Sequence, residues 1–252
     1  MVKGIESFRE WFKGYEDHYV IIGGSACSVL MEEEGLSFRA TKDLDVVLIV
    51  EALDADFGKR FWEYVKMAGY EHCNKSSLTP EFYRFSHPSL SQFPAMIELF
   101  SRKKDGIKLP AEARLTPLPL GESISSLSAI LLDDAYYDFL KQGKVLTSGV
   151  SLLDEAHLIP FKMKAWLDLS RRKKKGEQVD SKDIRKHKND VFRLAQLLRP
   201  SIHVPASKIV YDDIQDFLLQ MKGEDVDLKQ LGLGRKTKED LLNQIKEIYV
   251  LL

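Results

Sequence analysis

Cysteine is almost missing from this chain: Cys27 and Cys73 are the two among 252 residues, in no CxxC or CxxxH spacing. That excludes a disulfide framework and a cysteine zinc site, and it suits a reducing cytosol. The six histidines form no HExxH pair, so a histidine zinc site is not expected either. A surplus of one charge is lacking too. Lysine plus arginine number 37 and aspartate plus glutamate 38, for a formal net charge of -1, so any attraction to polyanions must be local. No run approaches about 18 apolar residues, the length a membrane-spanning helix needs. The first residues, MVKGIESFREWFKGYE, contain no unbroken apolar stretch of signal-peptide type. The expectation is a soluble cytoplasmic protein with no membrane partner. GxxxxGK[ST] and GxGxxG are absent, which excludes P-loop and dinucleotide-binding readings.

What is present suffices for a buried core, with 44% hydrophobic residues. Ile5, Phe8, Trp11 and Phe12 recur at helical spacing. Tyr19–Ile22 reads as a buried strand stopped by Gly23-Gly24, with Ser25 as N-cap of a helix from Ala26 to Glu34. Val46–Val50 is a second strand, and residues 55 to 69 are helical. Further strands are expected at Glu81–Ser86 and Ala95–Ser101, with short β segments near 113–118, 128–132 and 135–146. From Leu152 the pattern turns helical, at 154–175, 181–198, 207–221 and 237–249, with Pro160 marking the true start of the first. Strands first and helices later predict an α+β catalytic domain over 1–150 and a helical domain over 151–252.

Three pieces carry chemistry. Gly23-Gly24-Ser25 ends a strand and opens a helix, so backbone N–H groups and the helix dipole can meet phosphate oxygens; plain turn chemistry is the alternative. In Asp43-Leu44-Asp45 the carboxylates sit at i and i+2 of a strand, on one side and roughly 6.6 Å apart. Such a pair can share divalent cations lying ~3.5–4 Å apart, and Mg²⁺ needs only one or two carboxylates beside substrate phosphates. The alternative is an acidic turn capping a strand. Glu98 lies in the apolar run Ala95–Phe100, where an ionised carboxylate must be metal-bound or paired; Arg84 and Arg102 are the candidate partners.

Gly23-Gly24-Ser25-Ala26, then RATKDLDVVL over 39–48, then an apolar strand with one carboxylate, resembles the nucleotidyltransferase superfamily with its polymerase-beta-like fold. More narrowly, the chain is similar to the AbiEii/AbiGii toxin family of nucleotidyltransferases over roughly residues 19 to 198. Lys162-Met163-Lys164-Ala165-Trp166-Leu167 matches the family's lysine helix at Lys162, and His187-Lys188-Asn189-Asp190-Val191 matches its later aspartate at Asp190. His187 stands where the family has an earlier aspartate. The resemblance implies a minimal mixed β-sheet flanked by helices and followed by a helical domain that completes the site. It implies two Mg²⁺ ions, or Mn²⁺, on Asp43, Asp45 and Glu98, with Glu98 also assisting deprotonation of the acceptor. Gly23, Gly24, Ser25, Arg39, Thr41 and Lys162 would bind a nucleoside triphosphate, and Asp190 would orient Lys162 or assist the acceptor. The acceptor implied is a tRNA or other RNA, and the partner a cognate antitoxin. A small acceptor of the antibiotic-modifying kind, or a nucleotide- or RNA-binding module without catalysis, are the rival expectations. Between Pro160 and Arg199, 13 basic residues face five acidic ones. That surplus is either an RNA footprint or a solvated helix pair.

Overall fold

In a computed structural model, the structure describes residues 2–49, 51–70, 82–100, 130 and 133–252. The strand expected at 113–118, and that at 128–132 apart from Ile130, lie outside the described residues, as does Arg102. The chain divides into two compact units. Among described residues, one holds those up to Phe100 together with Lys144–Leu153; the other holds Ile130, 133–143 and Asp154–Leu252. The expected single boundary at 150 is therefore replaced by an interleaved one. A helix at 134–142 belongs to the second unit, while the hairpin that follows it joins the sheet of the first.

In the first unit a mixed six-stranded sheet runs in the order β3-β4-β2-β1-β6-β5. Its strands are β1 (Tyr19–Ile22), β2 (Asp43–Leu48), β3 (Phe82–Ser86), β4 (Met96–Phe100), β5 (Lys144–Thr147) and β6 (Val150–Leu153). The mixture of parallel β2–β4 and β1–β6 pairs with antiparallel β1–β2, β3–β4 and β5–β6 pairs agrees with the α+β expectation. All four residues of β1 are buried, as a central strand covered on both faces requires. Helices α1 (Ile5–Trp11), α2 (Gly23–Glu33) and α3 (Ala55–Ala68) belong to this unit.

The core of the first unit is aromatic. Phe8 meets Tyr19 and Tyr64 edge-on, with centroids 5.2 and 5.8 Å apart, and Phe12 touches Tyr19, Phe57, Phe61 and Tyr64. These rings are essentially inaccessible to water, each worth about 1.5–3 kcal/mol relative to exposure. Because Phe57, Phe61, Tyr64, Val65 and Ala68 recur at helical spacing, α3 turns one face into that core. Asp54 caps it by accepting from Phe57 N–H at 2.7 Å, and Gly69 ends it in the left-handed conformation.

The second unit is built on α4 (Asp134–Gln142), α5 (Glu155–Lys174), α6 (Ser181–Ala195), α7 (Lys208–Met221) and α8 (Lys238–Ile248). A two-stranded parallel sheet of β7 (Val204–Ala206) and β8 (Tyr249–Leu251), not foreseen from the sequence, ties the end of the chain to the stretch before α7. Residues 135–146, expected as β, are mostly helix: Tyr136, Tyr137, Phe139 and Leu140 are buried, and Asp133 caps the start by accepting from Ala135 N–H. The expected helices at 154–175, 181–198, 207–221 and 237–249 correspond to α5 to α8 within a few residues. No described helix is long and apolar enough to cross a membrane.

Pro160 does not start α5; it sits inside it. Proline cannot donate to the carbonyl four residues back, which here belongs to Ala156. The Tyr249 hydroxyl supplies the missing donor at 2.7 Å, so a residue 93 positions away repairs the helix. A buried carbonyl is thereby satisfied without breaking the turn.

Candidate functional site

The candidate site forms where β1 ends and β2 and β4 begin. Register pairs Ile22 with Asp45, Asp45 with Glu98 and Glu98 with Arg84, so one row crosses four strands. Directly paired residues share a face, and Asp43, two residues before Asp45, lies on that face as well. β2 starts at Asp43, earlier than the apolar run that announced it, because Asp43 and Leu44 find partners in Met96 and Ile97. Both aspartates are half-buried. Among the described residues none donates a hydrogen bond to the Asp43 carboxylate.

Gly23 brings the start of α2 against this face. Its φ of +70° lies in the left-handed region, and a Cβ there would run into Asp45 Oδ2. A Cβ on Gly24 would lie 3.0 Å from Thr41 Oγ1 and 3.1 Å from Arg39 Nη2. The two glycines thus let the helix terminus approach Asp45, Thr41 and Arg39 together. The N-cap residue of α2 is Ile22, which provides no side-chain acceptor for the first-turn N–H groups. Gly23, Gly24, Arg39, Thr41, Asp43 and Asp45 are therefore neighbours.

One expectation for this unit is corrected. Ser25 is not the N-cap and does not offer its hydroxyl outward. It is fully buried inside α2, and its Oγ donates to the Asp43 carbonyl, fixing the helix to the start of β2. Glu98, expected as the third metal ligand, is 7% exposed and is paired with an arginine. Arg84 Nε and Nη2 both donate to its Oε1, at 3.0 and 2.6 Å. Burial makes the pairing necessary, since a desolvated carboxylate without a partner costs several kcal/mol. Among the described residues no three His, Cys, Asp or Glu side chains gather closely enough to hold a metal ion. What does fit Mg²⁺ is the smaller set, two carboxylates on one strand face beside a phosphate-compatible helix terminus.

Lys162 and Asp190 belong to the second unit, on α5 and α6. Lys162 Nζ lies 3.2 Å from Asp190 Oδ2; the two residues are 5% and 0% exposed. Arg193 Nη1 stands 3.8 Å from the other oxygen. The lysine and aspartate matched on family resemblance thus meet each other, as a buried ion pair between two helices. Of the basic surplus, Arg171, Lys173, Lys174, Lys175, Lys182, Arg185 and Lys186 are exposed near the facing ends of α5 and α6.

A cavity of about 320 Å³ in the first unit is lined by Ile5, Glu6, Arg9, Val29, Glu33 and Val150, among others, and includes none of the site residues. Sequence reasoning missed Tyr249 at the Pro160 break; an interior proline signals an orphaned carbonyl but not its distant donor. No protein-family model matches the chain, and no curated protein matches it.

Proposed function

We propose that the chain is a metal-dependent nucleotidyltransferase, moving a nucleoside monophosphate from a nucleoside triphosphate to an acceptor hydroxyl with release of pyrophosphate. One observation carries the reading: Asp43 and Asp45 share a strand face beside a helix terminus that two glycines bring within contact of Asp45, Thr41 and Arg39. Carboxylates to hold Mg²⁺ and backbone donors to hold phosphates are the two parts that in-line attack on an α-phosphorus requires.

Asp43 and Asp45 would hold the ion. Bound Mg²⁺, or Mn²⁺ in its place, supplies neutralisation of charge on the triphosphate. The first-turn N–H groups of α2 receive terminal phosphate oxygens, Arg39 and Thr41 lie alongside, and Ser25 keeps helix and strand in register. Glu98 is left out of the metal set and out of the proton transfer. The finer assignments rest on family resemblance: an AbiEii-like toxin, an RNA acceptor such as tRNA, a cognate antitoxin, and Lys162 on the triphosphate with Asp190 behind it.

One observation favours a second reading, a nucleotide- or RNA-binding module without catalysis: the third carboxylate is engaged by arginine. Labelled nucleoside triphosphates incubated with the protein, Mg²⁺ or Mn²⁺ and either total RNA or aminoglycosides separate the readings. Transfer of label with pyrophosphate release, lost at least about a hundredfold in Asp43→Asn and Asp45→Asn, is the expected result. Nucleotide binding without pyrophosphate supports the binding module. If neither binding nor release depends on the two aspartates, both readings fall.

A further inference from the structure

Arg84 does more in this geometry than neutralise Glu98. A guanidinium carries five N–H donors. Two of Arg84's converge on the single oxygen Oε1 of Glu98, and among the described residues nothing accepts from the remaining three. Its side chain is 26% exposed while that of Glu98 is 10% exposed, so a buried carboxylate anchors an arginine that keeps part of its side chain accessible. The anchoring fixes the plane of the fork, and a fixed fork suits bidentate recognition of phosphate oxygens.

Its position is set by the sheet. Arg84, Glu98 and Asp45 occupy one row of three adjacent strands. At about 4.8 Å per strand, the Arg84 Cα lies roughly 10 Å from that of Asp45, within reach of a long side chain and a bound phosphate. The α2 terminus flanks Asp45 on the opposite side, at Ile22 and Gly23. Anion-binding groups therefore stand on both sides of the aspartates.

We propose that Glu98 is a positioning residue, not a metal ligand, and that it holds Arg84 so that the guanidinium binds a phosphate oxygen of the substrates. This rests on the nucleotidyltransferase reading and adds to it a phosphate-binding residue on the β3 side. The phosphate comes either from the nucleoside triphosphate or from a phosphodiester of an RNA acceptor.

The test uses the full chain, wild type and variants, and three titrations. Mn²⁺ alone is followed by electron paramagnetic resonance. The α,β-methylene analogues of the four ribonucleoside triphosphates with Mg²⁺ are followed by calorimetry, and a short labelled single-stranded oligoribonucleotide by anisotropy. Arg84→Met is expected to weaken one of the two phosphate probes by roughly ten- to a hundredfold, and the probe affected identifies the source. Glu98→Gln should weaken the same probe less, because its amide oxygen still accepts from Arg84, and should leave Mn²⁺ affinity unchanged. Arg84→Lys should restore part of the loss. Removing one partner strands a buried charge, so the double variant Arg84→Met/Glu98→Met guards against misfolding and should reproduce the Arg84→Met loss. Wild-type affinity of Arg84→Met for both phosphate probes overturns the proposal, as does a loss of Mn²⁺ binding in Glu98→Gln. If Mn²⁺ and nucleotide binding are absent or indifferent to Asp43→Asn, the nucleotidyltransferase reading itself fails. Aspartate-dependent binding that ignores Arg84 removes this proposal alone.

Discussion

Single residues decide whether this site can exist. Gly23 has a left-handed backbone and no room for a Cβ beside Asp45. Gly23→Ala should cost about 1–3 kcal/mol in urea unfolding, and it should weaken the proposed metal binding by displacing the carboxylate. An unchanged denaturation midpoint would show that the turn relaxes freely. Asp45→Asn makes the contrasting forecast. It removes a charge from the pair proposed to hold Mg²⁺, so the proposed transfer should be lost while the fold persists. A marked fall in melting temperature without Mg²⁺ would give Asp45 a structural role. In the helical unit, Asp190→Ala removes the carboxylate that stands 3.2 Å from the buried Lys162 ammonium and should destabilise by about 3–5 kcal/mol. Chemical denaturation checks this, and it must be checked before any loss of nucleotide binding in such variants is read as loss of a contact. Lys164 is no inert control on the same helix, for its Nζ donates to Asp213 at 2.6 Å.

Among the elements, α5 is the most revealing. Asp154 caps it by accepting from His157 N–H at 2.8 Å, with the imidazole Nδ1 on the same carboxylate. Four basic residues in its last turn oppose the negative end of the dipole. Its interior proline is tolerated because Tyr249 donates to Ala156. Tyr249→Phe keeps the ring and removes only that donor, so a cost of roughly 1–3 kcal/mol is expected. Combined with Pro160→Ala, which restores a backbone donor, the loss should shrink; a double-mutant cycle with purely additive energies would refute the repair.

For the whole molecule, buried tyrosines set the alkaline limit. Burial raises the ionisation of Tyr19, Tyr64, Tyr70, Tyr136 and Tyr249 above the ordinary phenol range, and Asp213 adds to the effect at Tyr136. A raised folded-state value means these groups contribute full stability below the unfolded value of about 10. That contribution is lost progressively as pH rises above it, because the unfolded chain ionises first. Absorbance of tyrosinate near alkaline pH should therefore appear in two stages, exposed rings first and these five together with loss of circular dichroism. Smooth single-stage ionisation before unfolding would contradict this burial.

The sequence by itself determined the elements whose periodicity is local. The spacing of Phe57, Phe61, Tyr64 and Val65 fixed α3, and the turn from Val20–Ile22 into Gly23-Gly24 fixed a strand followed by a helix. It also determined that Asp43 and Asp45 share a face, through strand pleating, and that two glycines open the helix after β1. What depends on partners far along the chain was decided by tertiary structure. Residues 135–146 alternate enough to suggest β until Tyr136, Tyr137, Phe139 and Leu140 are seen to bury one helical face. The β7–β8 pair joins segments more than forty residues apart, and neither strand is long enough to declare itself. The sequence left Glu98 either to a metal or to arginine. Pairing of β3 with β4 set Arg84 opposite it, which supplies the desolvated carboxylate with a cationic partner.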